Sequence, residues 1–98
     1  MNKQELLDKI ELLRQAAEGL DEPDKTFKLS DISILIIKLE ALAISEITQK
    51  MNLISLPEIS DMDAEIQAAN NAINSHENRV LAFNNAFNFI KGAIGIVV

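Results

Sequence analysis

Along the C-terminal third of the chain, Ile73, His76, Val80, Phe83, Phe87, Ile90, Ile94 and Val97 recur at alternating spacings of three and four. That is a heptad seam, and a stripe with a 3.5-residue period buries best against another helix along its whole length. Upstream, Leu6, Ile10, Leu13 and Ala17 form a second helical stripe, widened by Leu7 and Ala16. Asn2 is placed to cap that helix, with Glu5 three residues on completing a capping box, and Gly19 is placed to end it. Both patterns predict amphipathic helices.

Between them lies a segment that is apolar nearly all round. Asp21 to Leu29 reads as a loop, because Asp-Glu-Pro-Asp is rich in turn formers, with Phe27 expected to tack it to the core. Ser30 is then a candidate N-cap for a helix over 31–52, with Leu29 and Ile34 as a hydrophobic staple. Ile32-Ser33-Ile34-Leu35-Ile36-Ile37 fits a buried strand equally well by period, but Leu39-Glu40-Ala41-Leu42-Ala43 favours helix. On a wheel this helix shows Ile or Leu over most of its circumference, which predicts a central position. Pro57 interrupts the pattern, and Ser60 with Asp61 and Asp63 marks the start of a third helix over 61–91. Such a helix is roughly 46 Å long at about 1.5 Å per residue.

The expected fold is therefore all-α, one domain over 1–98: a three-helix antiparallel bundle with helices at about 3–18, 31–52 and 61–91 and an apolar tail at 92–98. The third helix overhangs the other two, so its seam is expected to pair in a homo-oligomer, with a two-fold dimer favoured. The interface residues are the eight of the seam. For the tail Phe89 to Val98, burial in an oligomer is preferred over insertion at a lipid surface, and the run is too short for an ordinary membrane span.

Composition narrows the chemistry. The absence of Cys removes disulfides, thiolate metal ligands and catalytic thiols. Fifteen acidic against nine basic side chains give a net charge of −6, which repels phosphate backbones, so no nucleic-acid partner is expected. No secretory signal is visible behind Met1, and cytoplasm is the expected compartment. His76 is the sole histidine, and without a second His at helical spacing it reads as a packed or interface residue rather than a ligand. The carboxylates of Glu58, Asp61, Asp63 and Glu65 suit a helix start better than a cation site. Glu40 projects towards Ile36 and Ile47, where a carboxylate would be desolvated, but it has no second acid, base or nucleophile to work with, and reaching solvent at a helix boundary or pairing with a Lys or Arg is the simpler expectation. Seven asparagines at 70, 71, 74, 78, 84, 85 and 88 suggest either a solvated face or register-fixing bonds across a helix interface, the solvated face being preferred. No catalytic residue, metal or cofactor is assigned. The functional expectation is a small non-enzymatic interaction or assembly module, with a membrane-active protein as the alternative.

Overall fold

The computed structural model describes residues 1–96, which form five helices in chain order: α1 (Lys3–Glu18), α2 (Asp24–Glu40), α3 (Ile44–Asn52), α4 (Leu56–Asn70) and α5 (His76–Ile94). The all-α class holds, but the three-helix arrangement does not. Where two long helices were expected, over 31–52 and 61–91, the chain turns twice more and doubles back. Its longest dimension, 38 Å, is shorter than an unbroken 61–91 helix would be.

α1 is the central element, touching each of the other four helices. Asn2 opens it by accepting from the Glu5 backbone N–H at 2.8 Å, and Gly19 closes it. Leu6, Ile10, Leu13, Ala16 and Ala17 are all buried, so the stripe is covered along its length. Two ion pairs lock its polar edge to its neighbours, Lys3 to Glu40 of α2 at 3.2 Å and Lys9 to Asp63 of α4. Glu40 is therefore a paired, exposed carboxylate at a helix end rather than a desolvated one.

The starts of α2 and α4 lie earlier in the chain than turn-forming residues suggested, for the same reason. Proline bars the helix interior but suits its first turn, where the missing N–H has no intrahelical partner to lose. Pro23 occupies the N-cap of α2, and the Glu22 side chain accepts from the Thr26 N–H at 2.8 Å. Ser30 is thus interior rather than a cap. In α4, Ser55 and Glu58 form a reciprocal capping box around Pro57, so the helix begins at Leu56 and not beyond Ser60.

The two unexpected breaks have different origins. Ala41-Leu42-Ala43 contains no helix breaker; Ala43 is extended there, and the turn brings Ile47 and Met51 of α3 into the core. Tertiary burial outweighs local propensity at this point. Asn71 to Ser75 is a turn built from polar side chains: Asn71 Oδ1 accepts from the Ile73 N–H at 3.0 Å, and Ser75 caps α5 by accepting from the Asn78 N–H. Loss of that cap is worth about 1 kcal/mol in typical helices. Ser75→Ala is accordingly expected to lower stability by about 1 kcal/mol in urea denaturation, with far-UV circular dichroism unchanged.

At the far end α5 runs on through Gly92 to Ile94 and stops at Gly95, whose φ of 78° is left-handed. The Gly95 and Ile96 N–H groups both donate to the Lys91 carbonyl, a Schellman-type closure, and the Lys50 ammonium donates to the Ile94 carbonyl at 2.6 Å. The segment read as a tail is thus the last turn of a packed helix as far as Ile94. Val97 and Val98 lie outside the described residues.

Candidate functional site

The eight seam residues do not share one surface. Phe83, Phe87, Ile90 and Ile94 are buried in the chain's own core, against α1, α3 and α4. Phe83 and Phe87 stack with ring centroids 5.8 Å apart. Val80 is half-buried, and His76 is the first residue of α5. Ile73 sits in the α4–α5 turn, 92% exposed, and Val97 is not described. The seam's partner is therefore found within the chain for the residues from Phe83 to Ile94, because α4 folds back antiparallel where a continuous helix was expected.

Polar side chains in this half serve the ends of helices. The Asn74 amide donates to the Ala68 carbonyl and the Arg79 Nε–H to the Ala69 carbonyl, at 3.0 and 3.1 Å. Asn70 donates to both its own Ile66 carbonyl and Leu12 of α1. The Asn74 and Arg79 donors reach carbonyls in the last turn of α4, where a helix end leaves acceptors without intrahelical donors. Asn70, Asn71, Asn78, Asn85 and Asn88 are exposed, in line with a solvated face, while Asn70 also bonds across the α4–α1 interface and Asn71 and Asn74 build the α4–α5 corner. Arg79 also lies over Gly19, where an added Cβ would meet its guanidinium at 2.5 Å.

His76 Nε2 is buried without a hydrogen-bond partner, 3.6 Å from Asp24 Oδ2 at the start of α2. Among the described residues, no group of three or more His, Asp or Glu side chains has metal-binding geometry. The Glu11, Glu22 and Glu58 carboxyls are each held below their ordinary value of 4.5, through hydrogen bonds from Arg14, Thr26 and Ser55 respectively. A depressed folded-state pKa contributes stability above the unfolded value, and that contribution is lost as pH falls through the folded one. The thermal midpoint is therefore expected to fall with acid below pH about 4.5, and Glu58→Gln should flatten part of that slope.

A groove of about 410 Å³ opens between the α3–α4 connection and the end of α5, walled by Leu53, Ile54, Phe89 and Ala93. Its two charged lining residues are committed elsewhere, Lys50 to the Ile94 carbonyl and Glu58 to Ser55. It offers apolar wall but little to orient a polar ligand.

The surface that stands out is on α2. One side carries Ile32, Leu35 and Leu39, all buried. The opposite side carries Phe27 at 62%, Ile34 at 39% and Ile37 at 69% exposure, with exposed Ala41 following at the C-cap. At 100° per residue these four fall within about 80° of arc. Phe27 does not tack a loop to the core; it opens this stripe. The near-continuous apolarity that predicted a central helix is thus half used, since α2 lies at the periphery against α1, with its remaining apolar side bare. Ser30 lies within the stripe, Asp31 and Lys38 border one edge, and Thr26 and Ser33 border the other.

No family model matches the chain, and no curated protein or solved structure is significantly similar to it. Among the described residues no helix is long and apolar enough to cross a membrane.

Proposed function

We propose that this chain is a small non-enzymatic helical interaction module whose contact surface is the outer face of α2. The observation that carries the reading is a helix with two apolar faces, of which the fold covers one. Apolar area is worth about 25 cal/mol per Å² when removed from water, and large exposed patches on otherwise well-packed domains mark contact surfaces. The spacing of the stripe suits a helix as the opposing element. The net charge of −6 disfavours nucleic acid and anionic lipid as the cover. The lipid-inserting alternative drew on the apolar C-terminal segment, and Ile90 and Ile94 of that segment are buried in the core. The non-enzymatic reading is supported by the use of Asn70, Asn71, Asn74, Ser75, Arg79 and Lys50 in helix ends and turns.

A photoreactive amino acid at position 37, in the cell that makes the protein, tests the proposal against the same residue at 73, an even more exposed site in the α4–α5 turn. The expected result is a discrete covalent adduct from 37 and none from 73. Absence of any adduct from 37 would contradict the reading.

A further inference from the structure

We infer that His76 and Asp24 form a protonation-dependent latch, in which a charged His76 fastens the start of α2 to the start of α5. The inference does not depend on what the outer face of α2 contacts. α2 packs its buried side chiefly against α1, and polar contacts tie both of its ends. At the C-terminal end Glu40 pairs with Lys3 of α1 at 3.2 Å. At the N-terminal end Asp24, the first residue of α2, stands 3.6 Å from His76, the first residue of α5. Lysine and glutamate keep their charges across the neutral range, whereas histidine is the side chain whose charge changes between about pH 5 and 8. Only the N-terminal tie can respond to pH there.

The spacing of that tie is what makes it responsive. A gap of 3.6 Å exceeds a hydrogen bond, which needs about 2.7 to 3.2 Å, and falls within ion-pair reach of about 4 Å. His76 Nε2 is shut off from water and has no hydrogen-bond partner, so it carries the cost of a buried unpaired polar atom. A neutral ring with its proton on Nδ1 turns a lone pair towards the carboxylate, while the charged ring turns an N–H and a positive charge towards it. Closing the gap by about half an ångström then makes a charge-assisted hydrogen bond.

The surrounding charges leave Asp24 as the group that answers the imidazolium. On α2, Lys25 is its neighbour in the chain, Glu22 before it is engaged by Thr26, and Lys28 one turn on is turned to the Phe83 ring. At the end of α1, Glu18 is paired with Arg14. The last four residues of α4, 67–70, carry no charge. On α5, Arg79 is held by the Ala69 carbonyl and lies over Gly19, and Glu77 is exposed. The dipole of α5 opposes a positive charge in its first turn, while that of α2 favours the negative charge of Asp24. The net gain is therefore modest. It is present on the acid side of the histidine titration and lost as pH rises through it. The Glu11, Glu22 and Glu58 carboxyls act in a separate window, below their ordinary value of 4.5.

Amide hydrogen exchange of the full chain, followed by NMR at about pH 5.5 and about pH 7.5 and corrected for the intrinsic pH dependence of exchange, tests the latch. Protection of residues 28–32 in α2 is expected to be about threefold higher at the lower pH, the size of a partly exposed ion pair. Ile66 and Ala69 of α4 should change less. His76→Gln and Asp24→Asn should each abolish the difference in α2, and because each variant is compared with itself at two pH values, a general loss of stability cancels. Wild-type protection that does not respond to pH, or a response of the same size in either variant, would overturn the latch. An equal change in α4 would place the effect in the whole fold rather than in α2 and overturn it as well.

Discussion

Phe83→Ala is expected to cost about 3 to 5 kcal/mol of folding stability, the largest loss from any single truncation in α5. The ring is fully buried, stacked on Phe87, and has the Lys28 ammonium of α2 5.8 Å from its centroid. Removing it vacates a site walled by rigid helices, where relaxation is limited and the cavity adds to the lost transfer energy. Ile73→Ala, taken from the same heptad pattern but from a residue standing in solvent, should change stability by no more than about 0.5 kcal/mol. Denaturant midpoints of the two variants check the pair. Similar losses in both would mean that the seam is one continuous surface after all.

Leu13→Ala is the second large effect, at about 2 to 5 kcal/mol. Leu13 is completely buried in the middle of α1, which packs against each of the other four helices. A cavity there loosens several interhelix contacts at once. The loss should appear as a lowered midpoint with an unchanged denaturant slope, because the same surface is exposed on unfolding. A decrease below about 1 kcal/mol would show that α1 is not the hub of the core.

The first helix was legible at both ends, since Asn2, Glu5 and Gly19 are strong local signals flanking a clean 3.6-residue stripe. The capping box of Ser55 with Glu58 is equally present in the sequence, but Pro57 inside it reads by itself as a helix breaker. The α4–α5 corner carried a subtler sign. A cluster of Asn70, Asn71 and Asn74 before Ser75 is a poor helix interior but a good turn with an N-cap after it, and the heptad spacing happened to run through it unbroken. The turn at Ala41 to Ala43 had no local signal, because Ala and Leu are good helix formers, and only the burial of Ile47 and Met51 explains it.

The candidate surface was half legible. The sequence of α2 has more apolar residues than one face can hold, a pattern that fits a central helix. The opposite resolution, a peripheral helix with one face left bare, has the same sequence signature. Distinguishing the two required knowing that α1 is the centre, and α1's own sequence reads as an ordinary amphipathic helix. In the same way, the α5 pattern from Phe83 to Ile94 revealed that a helix must cover it without revealing that the same chain supplies the cover.

Isoleucine methyl NMR with a soluble paramagnetic cosolute is the most direct test, because isoleucines sit in both stripes at once. Strong broadening is expected for the methyl signals of Ile34 and Ile37, on the outer face of α2, with those of Ile90 and Ile94 in the α5 core protected. Broadening at Ile90 and Ile94 with Ile34 and Ile37 protected would contradict the placing of the bare apolar face on α2.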